Sequence, residues 1–319
     1  MSGYWITAGQ LRAKLIPFGA SLQELYFDPT PHSLVLGLTN EADYAGHGAH
    51  LGANAGRYAN RIAQGCFSLN GTNYQLDRNE LGKHCLHGGT QGTGVCLWQV
   101  THHSEETLVF TLEEQDGWMG FPGALSATLT YQVTADNRLS LTFDATCSED
   151  SIVNFAHHSY FNLANEADIS AHQLTIHADH YLPVDCENIP TGEVAKVAGT
   201  PFDLRHHRLL GTDQFDHNFC LTDQGGALRE VAQLSSDTSG ITMRVASDQP
   251  GLQCYTGDHL AIAAPTCHDR PYQARAGLCL EPQHWPDAPN HPSFPQATLH
   301  KGTRYHQRCD FSFSHEGAK

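Results

Sequence analysis

The sequence predicts an all-β protein, a large antiparallel β-sandwich. Three observations carry that expectation. Apolar and polar residues alternate with a period of two over long stretches. Gly, Asn, Asp and Pro break those stretches at short intervals, as turns between strands do. No amphipathic helical pattern runs longer than about three turns.

The clearest alternation covers residues 125–134. Leu125, Ala127, Leu129, Tyr131 and Val133 line one face, and Ser126, Thr128, Thr130, Gln132 and Thr134 the other. Ala135-Asp-Asn137 supplies turn chemistry and residues 138–143 alternate again, which predicts a hairpin. Thr107–Leu112, Leu174–Ala178 and Ile241–Val245 are shorter strand candidates, and Gly277-Leu-Cys-Leu280 reads as a buried strand. Residues 225–234 come nearest to a helix. No linker, charge run, low-complexity tract or fixed-period repeat divides the chain, so residues 1–319 are expected to form one domain. Loops at 40–60, 183–205 and 282–298 are long enough to be functional.

Composition narrows the partners. The 319 residues are 40% hydrophobic and 16% charged, which excludes a disordered chain. Eighteen Lys and Arg against 34 Asp and Glu give a net charge of −16, so nucleic acid and anionic membrane are poor partners. The ten cysteines include no Cys-x-x-Cys pair, and several sit in apolar runs, as buried thiols of a reducing compartment do. No basic segment followed by an apolar core opens the sequence, and no apolar run is long enough for a membrane helix. The expected location is cytoplasmic, and the expected assembly a monomer or a loose homodimer.

Polar residues gather in five loop-like places: Gly56–Ile62, His84–Gly89, Asn154–Asn162, Asp216–Phe219 with Gln253–Gly257, and Leu280–Asp287. Glu281 ends an apolar run. Desolvation there raises a carboxyl into the range of a neutral-pH base, unless an Arg pairs with it. His157 and His158 are adjacent, so alternation turns their rings to opposite faces and only one can enter a given pocket. His84 and His87 have a spacing that suits metal ligation on a helix, but Gly88-Gly89 argues for a loop. No metal and no cofactor are expected. Asn60, Arg61, Asp216 and Gln253 are uninformative one at a time.

Together these stretches resemble the aldose 1-epimerase (galactose mutarotase) family over residues 15–313. Pro17-Phe-Gly-Ala20, Gly56-Arg-Tyr-Ala-Asn-Arg-Ile62, Leu86-His-Gly-Gly89 and Asp116-Gly with Phe121-Pro-Gly123 come first. His158-Ser-Tyr-Phe-Asn-Leu163, Tyr181-Leu-Pro-Val-Asp185, Ile189-Pro-Thr-Gly192 and Thr200-Pro-Phe-Asp-Leu-Arg205 follow. Asp216-His-Asn-Phe219, Tyr255-Thr-Gly257, Leu280-Glu-Pro-Gln283, Trp285-Pro-Asp-Ala288 and Asn290-His-Pro292 complete the series. Each block is short; their order is what is specific. The family fold is a large antiparallel β-sandwich (a supersandwich), in agreement with the periodicity.

The resemblance implies roles by position. Glu281 matches the general base, His158 the general acid and His87 a second active-site histidine near the ring oxygen. Asn60, Arg61, Asp216 and Gln253 match positions that hold sugar hydroxyls, and Trp285 is expected to stack on the sugar. The implied reaction interconverts α and β anomers of free hexoses such as galactose and glucose. A proton leaves the C1 hydroxyl, another reaches the ring oxygen, and the open aldehyde rotates and recloses. One carboxylate and one imidazole suffice for this, without metal or cofactor. Two departures stand out: Pro282 follows the base, where the family commonly has Thr, and His157 precedes the acid. Residues 257–277 match poorly. Three other readings stay open: an epimerase of hexose 6-phosphates, a non-catalytic sugar-binding module and a His-rich metalloenzyme.

Overall fold

A computed structural model describes residues 3–46, 49–221, 226–263 and 265–315. Strands dominate, and only short 3-10 turns interrupt them. At the N-terminal end, β1 (Tyr4–Ala8), β2 (Leu11–Ile16) and β3 (Ser21–Phe27) form a three-stranded antiparallel sheet. Of the later strands, those of the two main sheets begin with β4 (Gln99–His103), β5 (Thr107–Glu114), β6 (Leu125–Thr134), β7 (Arg138–Cys147), β8 (Tyr160–Phe161) and β9 (His172–Ile176). Next come β10 (His180–Tyr181), β11 (Ala195–Lys196), β12 (Arg208–Leu209), β13 (Asp216–Cys220) and β14 (Arg229–Ser236). The last are β15 (Ile241–Ser247), β16 (Gly251–Tyr255), β17 (Leu278–Gln283) and β18 (Tyr305–His315).

A nine-stranded sheet runs β12-β9-β14-β15-β18-β7-β6-β5-β4, and a six-stranded sheet runs β8-β17-β16-β13-β10-β11. The expected hairpin is the β6–β7 pair, in register from Leu125 opposite Cys147 to Thr134 opposite Arg138. Asn137 closes its three-residue turn at φ 61°, a left-handed conformation that Asn tolerates better than most residues. The apolar residues foreseen on β6 are all buried. Their face joins a continuous core that also takes Phe161, Phe219, Leu252, Leu278 and Leu280 from the smaller sheet. Across the two layers, Phe161 of β8 packs on Phe311 of β18 with ring centroids 5.0 Å apart. This is the sandwich that the alternation predicts.

Residues 225–234 are the exception. Residue 225 lies outside the described residues, and Arg229–Ser236 is strand β14, not a helix. A β-bulge shifts the register between Glu230 and Ala232, and Val231 and Ala232 are consecutively buried. One extra residue in a strand breaks the period of two, and the apolar spacing then imitates a helix.

Behind the smaller sheet, the segment Gly56–Ile62 is fastened by a buried ion pair. Arg57 is 1% exposed; its Nε donates to Glu114 Oε2 at 2.8 Å, and its Nη1 donates to the carbonyls of Pro122 and Gly123. Removing one member leaves the other charge buried and unpaired. A Glu114→Ala variant is therefore expected to lose about 3–5 kcal/mol in chemical denaturation. The Arg57→Met, Glu114→Leu double variant is expected to recover most of that loss. Equal losses in the two would contradict the pairing.

Candidate active site

The smaller sheet alternates in the same way as the larger one. Leu278, Leu280, Leu252, Cys254 and Phe219 face the core. The intervening residues, Cys279 and Glu281 on β17, Gln253 and Tyr255 on β16, and Asp216 on β13, face away from it. Register aligns them: Gln253 lies opposite Glu281, and Tyr255 lies opposite both Cys279 and Asp216. Tyr160 of β8 pairs with Cys279 on the same face. One sheet face thus collects residues more than a hundred positions apart in sequence.

Pro282 costs this sheet no ladder bond. Its carbonyl accepts from Gln307 Nε2 at 2.9 Å, away from β16, and a backbone N–H at this residue would point the same way.

The other wall comes from two loops. Strand Arg61–Ile62 pairs with strand Cys85–Leu86, so Asn60 and His87 meet at the end of a short ladder. Both have positive φ, 65° and 53°. The backbone N–H of Asn60 donates to His87 Nδ1 at 3.2 Å. With Nδ1 accepting, the proton of the neutral ring sits on Nε2. Gly88 makes the close approach possible, since a Cβ there would lie 1.9 Å from the Gly56 carbonyl oxygen.

All seven residues singled out from the sequence, Asn60, Arg61, His87, His158, Asp216, Gln253 and Glu281, line one cavity of about 370 Å³. His158 Nε2 lies 3.8 Å from Glu281 Oε1. Its Nδ1 lies 3.4 Å from Cys279 Sγ. The other carboxyl oxygen of Glu281, Oε2, is buried with no hydrogen-bond partner. Gln253 Nε2 donates to Asp216 Oδ1 at 2.6 Å, which leaves Gln253 Oε1 without a partner. The Arg61 guanidinium does not pair with Glu281. It grips Glu80 with three hydrogen bonds of 2.9–3.1 Å and lies 3.6 Å from Asp216 Oδ2.

Burial sets the protonation. It pushes the Glu281 carboxyl well above the usual carboxylate range, Asp216 adds to this, and Arg61 opposes it. It takes the His158 imidazole down to about 3, with His50 adding to the effect. His87 is lowered by burial, then by His50 and His158. Burial thus moves the carboxyl and the imidazoles in opposite directions, each toward its uncharged form.

His157 turns away, as alternation requires. Its ring bonds Asn54 Oδ1 and Ser159 Oγ inside the protein. His84 and His87 do not share a site: His84 Nδ1 accepts from the Gln64 N–H, and its Nε2 faces Glu187. Trp285 corrects an expectation. It packs on Phe294 and donates from Nε1 to the Pro250 carbonyl, away from the cavity. The aromatic walls are Tyr160 and Tyr255 instead. Sequence reasoning also missed His50, whose ring lies 4.7 Å from His87 and 6.0 Å from His158. It missed Glu80 as well, which holds Arg61. Only the length of the 40–60 loop pointed toward His50, and no motif marks Glu80. The unmatched stretch after residue 257 supplies His259–Ile262 to the cavity rim.

One sheet face and two loops thus bring a buried carboxyl, imidazoles and amide, carboxylate and guanidinium groups together around one open cavity, the layout of an enzyme site for a small polar ligand. A model of the aldose 1-epimerase family matches residues 4–312. The chain is 36% identical to the aldose 1-epimerase of Escherichia coli over 316 residues, covering 94% of this chain and 91% of that protein. It is 38% identical to the galactose mutarotase of Homo sapiens over 317 residues, covering 95% and 91%. The crystal structure of an aldose epimerase homologue from C. elegans superposes with a TM-score of 0.92 at 30% identity, covering 99% of both chains. The chain belongs to the aldose 1-epimerase family and is an isomerase.

A buried, unpaired carboxyl opposes stability at high pH. Because its pKa is raised in the fold, its stabilising effect is present below the unfolded pKa and is lost as pH rises through the folded one. Glu281→Gln is therefore expected to match wild type near pH 4 and to exceed it at pH 8. Between the unfolded and the folded pKa, the gap grows by about 1.4 kcal/mol per pH unit. A gap that does not change with pH would contradict the raised pKa.

Proposed function

We propose that the chain interconverts the α and β anomers of free aldohexoses such as galactose and glucose. Glu281 takes the C1 hydroxyl proton, and His158 delivers a proton to the ring oxygen. The observation that carries this reading is the 3.8 Å approach of His158 Nε2 to Glu281 Oε1 at the base of the cavity. The pair shares one transferable proton. Ring opening consumes one acid and one base, and reclosure on the other face regenerates both, so no cofactor enters. His87 donates from Nε2–H to a sugar oxygen. Asn60, Arg61, Asp216 and Gln253 hold the hydroxyls while C1 moves, and the free Gln253 Oε1 accepts from one of them.

Charge favours a free sugar over a phosphorylated one. Among the described residues, Arg61 is the one Lys or Arg side chain that lines the cavity, and Glu80 and Asp216 already engage it. A phosphate would meet three carboxyl groups without a free cation. The buried free thiols of Cys85, Cys254 and Cys309 support the reducing, cytoplasmic setting.

A second reading exchanges the two roles, with neutral His158 as base at C1 and protonated Glu281 as acid at the ring oxygen. The opposite directions in which burial moves the two groups, Glu281 up and His158 down, favour it. A crystal structure with bound galactose separates the two: Glu281 beside O1 supports the first, and Glu281 beside the ring oxygen the second.

Polarimetry of fresh α-D-galactose tests the reaction itself. Wild type is expected to reach anomeric equilibrium fast, and Glu281→Gln to be slower by about 10² to 10⁴. Glucose 6-phosphate is expected to turn over near the buffer rate. The acidic limb of kcat/KM is expected below the usual imidazole value of about 6.5, and the alkaline limb above the usual carboxyl value of about 4.3. Wild-type rates equal to buffer on both free sugars would overturn the proposal.

A further inference from the structure

We propose that Cys279, His158 and Glu281 form a binding site for a soft divalent cation of the zinc class, whose occupancy blocks the sugar cavity. This rests on the reading of His158 and Glu281 as the reacting pair.

The three side chains are all buried. One ligand atom from each, an imidazole nitrogen, the thiol sulfur and a carboxyl oxygen, lies within 4.8 Å of the others. Tetrahedral zinc, with bonds of about 2.0–2.3 Å, spaces its ligand atoms about 3.3–3.7 Å apart. The two close approaches, His158 Nδ1 to Cys279 Sγ at 3.4 Å and His158 Nε2 to Glu281 Oε1 at 3.8 Å, use opposite nitrogens of the ring, and an ion takes only one of them. Binding therefore asks the Cys279 and Glu281 side chains to turn toward one shared His158 nitrogen, from ligand atoms that start within 4.8 Å of one another. Glu281 Oε2 is buried without a hydrogen-bond partner, so it is a ready donor that breaks no existing bond.

The donor set selects the ion. Thiolate and imidazole favour zinc and cadmium over magnesium and calcium, which prefer all-oxygen sites. Three protein donors with a fourth position open to a cavity is the layout of accessible zinc sites. His158 and Glu281 line the sugar cavity, and Cys279 lies buried beside them outside that lining. The cation arrives through that cavity, and the thiol and carboxyl protons leave to solvent. No oxidant or reductant takes part. With the cation bound, neither member of the pair can move a proton, so sugar and cation exclude each other.

The test uses the purified full-length chain, freed of metal by a chelator, with cadmium chloride as the probe. A sulfur-to-cadmium charge-transfer absorption reports the thiolate directly and needs no turnover. Wild type is expected to show a band that saturates at one equivalent, and galactose is expected to compete with it. Magnesium chloride gives no effect. Zinc chloride inhibits anomer conversion, and chelator reverses the inhibition. Cys279→Ala is expected to lose the one-equivalent band. Glu281→Gln, which keeps the shape and the thiol, is expected to weaken cadmium binding at least about tenfold, and serves as the second variant should Cys279→Ala fail to fold. A band that persists unchanged in either variant, as binding at the exposed Cys186 would give, overturns the proposal. So does a band indifferent to galactose in a protein that turns galactose over. Cadmium bound at Cys279 by a protein that never interconverts anomers would instead overturn the catalytic reading and leave the metal site standing.

Discussion

The site depends on one physical constraint: a carboxyl kept out of water with no cation to neutralise it. Glu281 is 2% exposed, and the nearest guanidinium, that of Arg61, is held by Glu80 and Asp216. A buried carboxyl resolves such a position by keeping its proton. His158, equally desolvated, resolves its own by staying neutral. Two groups that burial pushes toward opposite uncharged forms thus sit within 3.8 Å of each other, the arrangement on which the proposed acid–base reaction rests. A tight Arg61–Glu281 pair would hold the carboxyl low, but Arg61 is engaged by Glu80 instead.

The rest of the architecture serves this arrangement. Strand β17 can bury a carboxyl because its alternate residues, Leu278 and Leu280, are anchored in the core that joins the two layers. The pleat turns Glu281 to the opposite face, where register sets Gln253 beside it. The loop wall is fixed as firmly, by the Arg57–Glu114 pair behind Asn60 and by the Asn60–His87 ladder end. The cavity-lining groups are thus carried on rigidly anchored parts of the protein, as the proposed sugar-holding role requires.

Much of this was legible in the sequence, and the reason is physical. Period-two alternation is a direct consequence of the pleat, so β6 and β7 announced themselves, and the apolar run at 277–280 marked β17. The adjacent pair His157-His158 had to divide between core and cavity for the same reason. The bulge in β14 was not legible, because an inserted residue erases the period that identifies a strand. The seven matched positions converge on one cavity because the resemblance carried information about register that no local pattern contains. Trp285, His50 and Glu80 show the limit. Whether an aromatic ring faces a ligand or fills the space behind it, and which carboxylate claims an arginine, depend on the packing of segments far apart in sequence. Glu80 reaches Arg61 across a loop pairing, and Trp285 is claimed by Phe294 and the Pro250 carbonyl.

Everything at this site turns on the protonation of Glu281, and infrared difference spectroscopy reads it directly. The spectrum of wild type minus Glu281→Gln isolates the carbonyl stretch of this one carboxylic acid, and a pH titration follows its loss. A protonated band is expected to persist well above the usual carboxyl pKa of about 4.3. A band that disappears at or below that value would mean that Glu281 is an ordinary solvated or salt-bridged carboxylate, and that burial does not set its charge.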